Sequence, residues 1–438
     1  MTKEEKYTLA KWAMEQALKS GAQQAGASIS NDKSSSVDVR GQKIEKLEQA
    51  VQSNLSISLY VDNKFSAHST NRLDKKELKH FIAEAVEATK YLSEDKFRTL
   101  PDPSLYYKGG GVELEMLDPG YENIEPQTKI GLAFNAESEA LGKDKRIVSV
   151  TSSYYDGMDS IVMVTSNGFK GDTASSYFSL YVSVSVKDED ARPGAGWNES
   201  AIFFNKLKTT GIGLTALKKA LGKLGQGKVT SAKMAMIVEN RSVGKIFGPL
   251  ISALNGSSVY QKNSFLINKL GEKVASGKLT LVDDPFIASG RGSRLFDREG
   301  LASKKRPIFE EGILKNYFID TYYGKKLEME PTSGSTSNLV FNPGGKSLDG
   351  LVASLEKGIL VTGFNGGNCN GSTGDFSYGI EGFLIEKGKP TRAVSGMNIS
   401  GNMKQLWMDL AEVGADARED SSWRTPSLLF NNVDFSGS

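Results

Sequence analysis

Histidine and cysteine are scarce in this sequence, and their positions limit the chemistry that it can carry out. The two histidines are His68, in an alternating run typical of a strand, and His80, on the polar side of a predicted helix. The single cysteine, Cys369, lies far along the chain from both. A zinc site needs three or four converging ligands, and a nucleophilic cysteine needs a neighbouring base. This spacing predicts neither site, and we expect both histidines to be surface or strand residues.

Two glycine-containing stretches could bind anions. The stretch NPGGKS ends in Gly-Lys-Ser, but Val340 occupies the position where a phosphate-binding loop needs its first glycine, so the pattern is absent. The stretch SGRGSR carries Arg291 and Arg294, whose guanidinium groups could grip a carboxylate. A lone Gly-x-Gly is also typical of a plain turn, and both interpretations stay open.

The paired aspartates of VDDP, Asp283 and Asp284, could hold a metal ion. An Asp-Pro step after a predicted strand is also a common way to begin a turn, because the aspartate side chain accepts hydrogen bonds from the backbone that follows it. The sequence favours the turn.

The stretch GFNGGNCNGSTGD, residues 363–375, has the most unusual composition in the chain. Glycine lets the backbone approach a ligand closely, and asparagine offers donors and acceptors that could pair with a peptide main chain. We take Asn365, Gly366, Gly367 and Asn368 as candidate peptide-binding residues. A long solvent-exposed hairpin loop would have the same composition.

The stretch RSVGKIFGPLISALNG, residues 241–256, predicts an amphipathic helix with a Gly-Pro pair in its middle. Its apolar residues follow helical spacing and predict one buried stripe: Val243, Ile246, Phe247, Leu250, Ile251 and Leu254. Pro249 removes a backbone donor and clashes with the preceding turn. We therefore expect either a kink at Pro249 or a helix that starts at Gly248.

The N-terminal part of the chain alternates between helical and strand-like patterns. Residues 2–19 and 75–92 have helical apolar periodicity, the first ending at Gly21 and the second beginning after the N-cap residue Asp74. Alternating runs predict strands on either side of KIEKLEQAVQS, which we predict to be a short helix. A helix near residues 126–141 and an antiparallel meander, interrupted by Asp-Gly and Asn-Gly turns, follow.

The C-terminal part is rich in glycine and in hairpin patterns. A helix bracketed by glycines, GIGLTALKKALGKLGQG, precedes the strand KMAMIVEN, and two later segments place a glycine-containing turn between alternating runs. We predict an α+β fold of two domains, an N-terminal helix-and-strand domain over residues 1–215 and a C-terminal β-rich domain with antiparallel hairpins over residues 216–438. The stretch 100–111, with two prolines and three glycines, is a candidate linker or crossing loop.

Composition excludes several classes of partner. Lysine and arginine total 54 against 52 acidic residues, a net charge of +2, so no global field favours nucleic acid or an anionic membrane. The N-terminal residues lack the apolar run of a signal peptide, and no stretch approaches a membrane span. We therefore expect a cytoplasmic protein, in agreement with its single cysteine.

The order of segments resembles the TldD/PmbA family, labelled as modulators of DNA gyrase, and specifically its PmbA (TldE) branch. The matching segments include SSVYQKNSFLINKLGEKVAS, LTLVDDP, GRGSRLFDREG, EEGILKNYFIDTYYGKKL, EPTSGSTSNLVFNPG and TPSLLFNNVDFSG. The likeness is dense from about residue 237 onward and weaker in the N-terminal half. It implies the two-domain α+β fold and a pairing of the PmbA-type chain with a TldD-type chain in a heterodimer that cleaves peptides and unfolded segments.

The resemblance also implies where a metal site would lie. The catalytic branch of the family carries zinc on H-E-x-x-x-H, and in this chain the two histidines and the glutamate fall on Gly248, Ala253 and Pro249. None of these side chains can bind a metal or activate water. The family also uses a cysteine nearer the C-terminus, whereas Cys369 lies elsewhere. No metal and no cofactor are therefore expected in this chain, and zinc is expected in a TldD-type partner.

Three functions follow as hypotheses. The leading one is a non-catalytic subunit of a cytoplasmic metallopeptidase complex that contributes dimer surface and part of a chamber for extended peptide. The second is a stand-alone homodimeric peptide-binding protein. The third, direct modulation of DNA gyrase, comes only from the family label, and the near-zero net charge argues against it.

Overall fold

The structure, a computed structural model, describes residues 1–437 and contains nine α-helices within them. The helices are α1 (Lys3–Lys19), α2 (Lys75–Thr89), α3 (Pro126–Ser138), α4 (Ile212–Gly222), α5 (Gly244–Ser252), α6 (Gly256–Tyr260), α7 (Thr321–Leu327), α8 (Leu348–Ala353) and α9 (Met403–Met408). None of them combines the length and the apolar character that a bilayer crossing requires.

Six antiparallel strands form the first sheet. In chain order they are β1 (Gln24–Arg40), β2 (Lys43–Val61), β3 (Lys64–Thr70), β4 (Ile147–Thr165), β5 (Lys170–Val186) and β6 (Gly194–Ala201). In space the order is β3-β2-β1-β4-β5-β6, with each strand antiparallel to its neighbours. The odd-numbered residues of β1 from Ala25 to Ile29 and from Ser35 to Val39 are buried. They face the same side, where α1 and α2 cover one end of the sheet and α3 and α4 the other.

The segment KIEKLEQAVQS is strand in the structure, so the prediction of a helix there was wrong. Lys43 and the residues after it pair in register with β1 along the first half of β2. Lysine, glutamate and leucine favour a helix locally, but the hydrogen bonds to β1 outweigh that weak preference. The other predicted helices and the meander of β4, β5 and β6 are present.

Eleven further strands lie in two sheets in the C-terminal part of the described chain. They are β7 (Ala232–Val238), β8 (Leu281–Asp284), β9 (Arg306–Glu310), β10 (Ile313–Leu314), β11 (Asn338–Phe341), β12 (Lys357–Cys369), β13 (Asp375–Glu386), β14 (Lys389–Asn402), β15 (Leu410–Val413), β16 (Trp423–Arg424) and β17 (Leu428–Ser436).

The larger C-terminal sheet closes on itself. Its order is β14-β13-β12-β7-β17-β15, and the last residues of β17 also pair with β14, which completes a ring. β17 switches between partners at a bulge after Phe430. Closure leaves few free strand edges and places β17, the last strand of the chain, next to β7. The five-stranded sheet β10-β9-β8-β11-β16 packs into the same core.

These sheets confirm the predicted α+β class with antiparallel hairpins. The expected domain boundary between residues 215 and 216 falls inside α4, whose apolar residues pack on the first sheet. We therefore propose a boundary after α4. The stretch 100–111 crosses to the C-terminal part, where Tyr106 bridges to Leu301 and Leu105 accepts a hydrogen bond from Ala302.

Candidate functional site

Helix α5 is anchored by one apolar face. Val243, Ile246, Phe247, Leu250, Ile251 and Leu254 are all buried, which confirms the predicted stripe. The Phe247 ring lies 5.1 Å from the ring of Phe341 and 5.2 Å from that of Trp423. Pro249 lies inside the helix, which begins at Gly244, so the alternative of a helix starting at Gly248 was wrong. The strong packing of the buried face holds the helix together across the missing backbone donor.

The opposite face of α5 borders an open cleft. Lys245, Gly248, Pro249 and Ser252 line it from the helix, followed by Ala253 at the helix end. A Cβ atom at Gly248 would lie 3.8 Å from the Trp423 ring, which is an ordinary contact. The helix therefore has room at this position for a side chain that the sequence does not supply.

The tip of the β12–β13 hairpin forms the facing wall. Asn370 closes the turn by accepting hydrogen bonds from the backbone of Ser372 and Thr373 at 2.9 and 3.3 Å. Lys245 reaches across from α5, with Nζ donating to the Gly367 carbonyl at 3.3 Å and lying 4.8 Å from the centre of the Tyr378 ring. This contact ties the helix to the hairpin. The long exposed loop considered for residues 363–375 is therefore mostly strand, since β12 extends to Cys369.

We call the space between α5 and this hairpin the α5 cleft. Its volume is about 400 Å³. The residues that line it are Gly244, Lys245, Gly248, Pro249, Ser252, Ala253, Ser258, Asn263, Asn368, Cys369, Gly371 and Tyr378. Gly248, Pro249 and Ala253, the positions at which the resemblance would set H-E-x-x-x-H, thus lie in one cleft with part of the Asn/Gly-rich stretch.

Cys369 and Tyr378 are the titratable groups whose pKa values shift in this cleft. Burial, reinforced by the negative charge of Asp375, raises the pKa of the Cys369 thiol. Burial also raises the pKa of Tyr378 to about 12, with the neighbouring Cys369 adding to the shift. Both groups are therefore neutral at physiological pH, and Cys369 is a poor nucleophile.

The donor set of the α5 cleft does not fit a zinc ion. Gly248, Pro249 and Ala253 offer no ligand atom, and Cys369 is a single thiol whose raised pKa opposes the thiolate form that binds zinc. Within residues 1–437, no group of three or more histidine, cysteine, aspartate or glutamate side chains is arranged to hold a metal. What the cleft does offer is amide, hydroxyl and backbone groups suited to a neutral polar chain.

A second groove continues from the cleft along α6. Ser252 and Ser258 border both spaces, and the second has a volume of about 310 Å³. Its far wall is the loop of Gly334, Ser335 and Thr336. Together the two spaces form an open channel, which we call the α5–α6 groove.

Arg294 holds the wall of this groove and does not point into it. Its guanidinium donates to the carbonyls of Thr336 and Ser335 at 2.8 and 2.7 Å. Arg291 stacks on the ring of Tyr177, at 3.8 Å, and both arginines line a separate cavity of about 830 Å³ beside the first sheet. A joint grip of the two arginines on one carboxylate, and a peptide-binding role for either, stay predictions.

The VDDP aspartates support the same wall. Asp283 is buried and accepts hydrogen bonds from the backbone and hydroxyl of Ser337, both at 2.6 Å, and from Arg306 at 3.0 Å. Asp284 accepts from the backbone of Phe286 at 3.0 Å and pairs with Lys305 at 2.7 Å. This geometry is that of a turn and two ion pairs, as the sequence favoured over a metal site.

Of the candidate residues on the hairpin, Asn368 lines the α5 cleft, whereas Asn365 pairs with Gly379 in the ladder. Sequence analysis missed Lys245 and Ser252, although they lie three or four residues before and after Gly248 and Pro249 on the polar face of the same helix. Asn263 and Ser258 come from a separate segment, and no local pattern could have placed them in the cleft.

Gly366 and Gly367 allow a matched test of the bulge in β12 that precedes the hairpin tip. Both have positive φ angles, of 72° and 77°, but a Cβ atom at Gly367 would lie 2.0 Å from the Ser377 carbonyl oxygen, whereas one at Gly366 meets open space. We expect Gly366→Ala to lower the free energy of unfolding by about 1 kcal/mol and Gly367→Ala by about 3 kcal/mol or more, since backbone must move. Urea unfolding of both variants measures the two losses of stability. Equal losses would contradict the close contact between Gly367 and the Ser377 carbonyl.

Three family models match successive parts of the chain. They describe domain 1, the central domain and the C-terminal domain of PmbA/TldA metallopeptidases, and they match residues 25–89, 119–224 and 231–437. The end of the second match and the start of the third bracket the boundary that we propose after α4.

Curated relatives and solved structures agree with these matches. A metalloprotease PmbA homolog of Buchnera aphidicola (subspecies Acyrthosiphon pisum) is 30% identical over 92% of this chain and 90% of its own, and one from Haemophilus influenzae is 30% identical over 97% and 95%. A Bacteroides thetaiotaomicron crystal structure, described as "a putative modulator of DNA gyrase", superposes over 100% of both chains with a TM-score of 0.98 at 50% identity. TldE from Thermococcus kodakarensis, at 21% identity and a TM-score of 0.87, covers 98% of this chain and 100% of its own and shares the fold.

Proposed function

Because the chain belongs to the PmbA/TldD metallopeptidase family, we propose that it is the non-catalytic, PmbA/TldE-type subunit of a zinc metallopeptidase complex. In this proposal the zinc lies in a TldD-type partner chain, and the complex processes or degrades peptides and unfolded segments in the cytoplasm. The relatives named above are called metalloproteases, which supports peptide cleavage as the shared activity of the family.

The observation that carries the proposal is a cleft without catalytic groups. Gly248, Pro249 and Ala253, which line the α5 cleft, are the positions that would carry H-E-x-x-x-H if the resemblance holds residue by residue. A general base or metal-bound water requires a titratable or ligating side chain at such a position. In this proposal the α5–α6 groove accommodates an extended chain, and the zinc of the partner cleaves it.

A homodimeric peptide-binding protein is the second candidate. It is favoured by the length of the α5–α6 groove and by its asparagine and serine side chains, which can hydrogen-bond to a peptide main chain without a partner. Modulation of DNA gyrase rests on a family label alone, and the net charge of +2 gives no electrostatic support for DNA binding.

The decisive experiment compares the chain alone with the chain co-expressed with an H-E-x-x-x-H-containing relative from the same host. We expect the isolated chain to contain no stoichiometric zinc by elemental analysis and to cleave no labelled unfolded peptide. The co-purified complex should contain zinc and show cleavage that a chelator abolishes. Stoichiometric zinc and chelator-sensitive cleavage in the isolated chain would overturn the proposal, and the absence of a stoichiometric partner would favour the homodimeric peptide-binding protein.

A variant of the groove tests whether this chain contributes to the complex. Ser252 is exposed where the two spaces of the α5–α6 groove meet, so Ser252→Trp should fill the groove without disturbing the core. We expect cleavage by the complex to fall about tenfold or more with its zinc content unchanged, because substrate positioning is lost. Leu214→Trp, at a half-exposed position on α4, is the matched control.

A further inference from the structure

The first half of β2 is a free sheet edge. β2 pairs with β1 along its length, but β3 pairs only with Leu55–Val61. On its outer side, the stretch from Lys43 to Asn54 has no strand partner among residues 1–437. A long row of unpaired backbone donors and acceptors is a ready site for pairing with another strand.

This edge also exposes apolar side chains on the face that is buried elsewhere. Ile44, Leu47 and Val51 are 44%, 57% and 68% exposed. A bulge in the pairing with β1 sets Ile44 opposite Val39, while Leu47 lies opposite Val37. Val37 and Val39 are core residues, so Ile44 and Leu47 extend the core surface past the last covered strand.

The charges along the edge identify the strand that would fit it. The residues from Lys43 to Glu48 are Lys-Ile-Glu-Lys-Leu-Glu. When this segment is written backwards, each basic residue falls opposite an acidic one and each apolar residue opposite an apolar one. An antiparallel second copy in the register that sets Lys43 opposite Glu48 also sets Ile44 opposite Leu47 and Glu45 opposite Lys46. All six pairs across the two-fold axis are then attractive or apolar. A shift of one residue either way places Glu45 opposite Glu45 or Lys46 opposite Lys46.

We propose that this edge is a self-association surface, at which β2 of one subunit pairs antiparallel with β2 of a second copy of the same chain. The bulge aids the match, because it brings Ile44 and Leu47 to one face and Lys43 and Glu48 to the other. Within one subunit, Lys46 Nζ lies 2.5 Å from Glu48 Oε2, and Arg40 Nη1 lies 3.9 Å from Glu45 Oε1. When two copies of β2 pair, these side chains exchange or share these ion-pair partners with the charges of the second copy. The surface is distinct from the α5–α6 groove and does not depend on the proposed peptidase role.

Charge reversal gives a direct test. The variant Lys43→Glu/Lys46→Glu makes the edge uniformly acidic, and Glu45→Lys/Glu48→Lys makes it uniformly basic. We expect the full-length chain to be a dimer at micromolar concentration and each variant to be a monomer, with the dissociation constant raised about a hundredfold or more because four attractive pairs become repulsive. An equimolar mixture of the two variants should form a dimer again, because every charged pair is then attractive.

Sedimentation and light scattering report the mass, and circular dichroism confirms that each variant is folded. Lys76→Glu/Lys79→Glu and Glu84→Lys/Glu87→Lys make the same charge changes on exposed positions of α2 and should leave the dimer intact. A monomeric wild-type chain, dimers that persist in both edge variants, or a mixture that stays monomeric would each overturn the proposal. Because the chain is tested alone, a failure here leaves the peptidase partnership standing.

Discussion

Replacing Asp283 with alanine is expected to lower the free energy of unfolding by about 3–5 kcal/mol, because the partly buried Arg306 loses its carboxylate acceptor and the partly buried Arg294 loses an opposing charge. Asp283 accepts directly from Arg306 and from Ser337. Its charge also opposes the burial that lowers the pKa values of Arg294 and Arg306. Since Arg294 holds the 333–336 wall, the variant should also loosen the α5–α6 groove.

Two neighbouring variants separate the causes. Asp283→Asn keeps an acceptor for Ser337 but removes the charge, so we expect an intermediate loss. Asp284→Ala removes the adjacent carboxylate, whose partner Lys305 is exposed, and should cost about 1 kcal/mol or less. Chemical unfolding measures all three, and a loss for Asp283→Ala no larger than that for Asp284→Ala would contradict the role assigned to the buried pair.

The stability of the chain is expected to fall as pH rises through neutrality because of Glu299. Burial raises the pKa of this carboxyl to about 7, and the charges of Asp297 and Asp320 add to the shift, although hydrogen bonds from the Thr321 backbone and hydroxyl, at 2.9 and 3.0 Å, oppose it. The folded state therefore holds a proton that the unfolded state has already released. The resulting stabilisation is complete below the ordinary pKa near 4.5 and is lost as pH rises through about 7.

The substitution Glu299→Gln tests the sign of this effect. The amide stays neutral, so the variant should gain about 1–3 kcal/mol relative to the wild type between about pH 4.5 and about pH 8. Unfolding titrations at several pH values measure this difference, and Glu94→Gln, at an exposed loop position, shows the effect of amide substitution alone. If the difference in stability between Glu299→Gln and the wild type does not change with pH, the raised pKa of Glu299 is contradicted.

Local patterns predicted most of the regular structure because their causes are local. The helix at α2 begins after Asp74, whose side chain accepts from the backbone of Lys76 and Glu77, and apolar spacing fixed its buried face. The helix predicted over KIEKLEQAVQS failed because its conformation is decided by β1, a partner that no window of sequence contains. The parallel pairing of β12 with β7 and the closure of the ring by β17 were likewise invisible, since they join segments far apart in the chain.

The candidate site was likewise predictable from the sequence only where its causes are local. Physical reasoning predicted the buried stripe of α5, and family resemblance marked Gly248, Pro249 and Ala253, but neither could bring Asn368 or Asn263 to the same cleft. Arg291 and Arg294, three residues apart, both border the cavity beside the first sheet, but Arg291 stacks on Tyr177 whereas Arg294 donates to the carbonyls of a distant loop. Sequence spacing alone constrains direction only within a regular element.

The position of β17 beside β7 also governs the order in which the chain can fold. β7 begins the C-terminal part of the described chain, yet its antiparallel neighbour β17 is the last strand among the described residues. The ring cannot close before β17 is synthesised, so β7 has no ladder partner until β12 is made and keeps one side unpaired until more than a hundred and eighty intervening residues are translated. The first sheet, made entirely from earlier residues, is free to form during that interval. Synthesis therefore imposes a delay on the closure of the C-terminal ring.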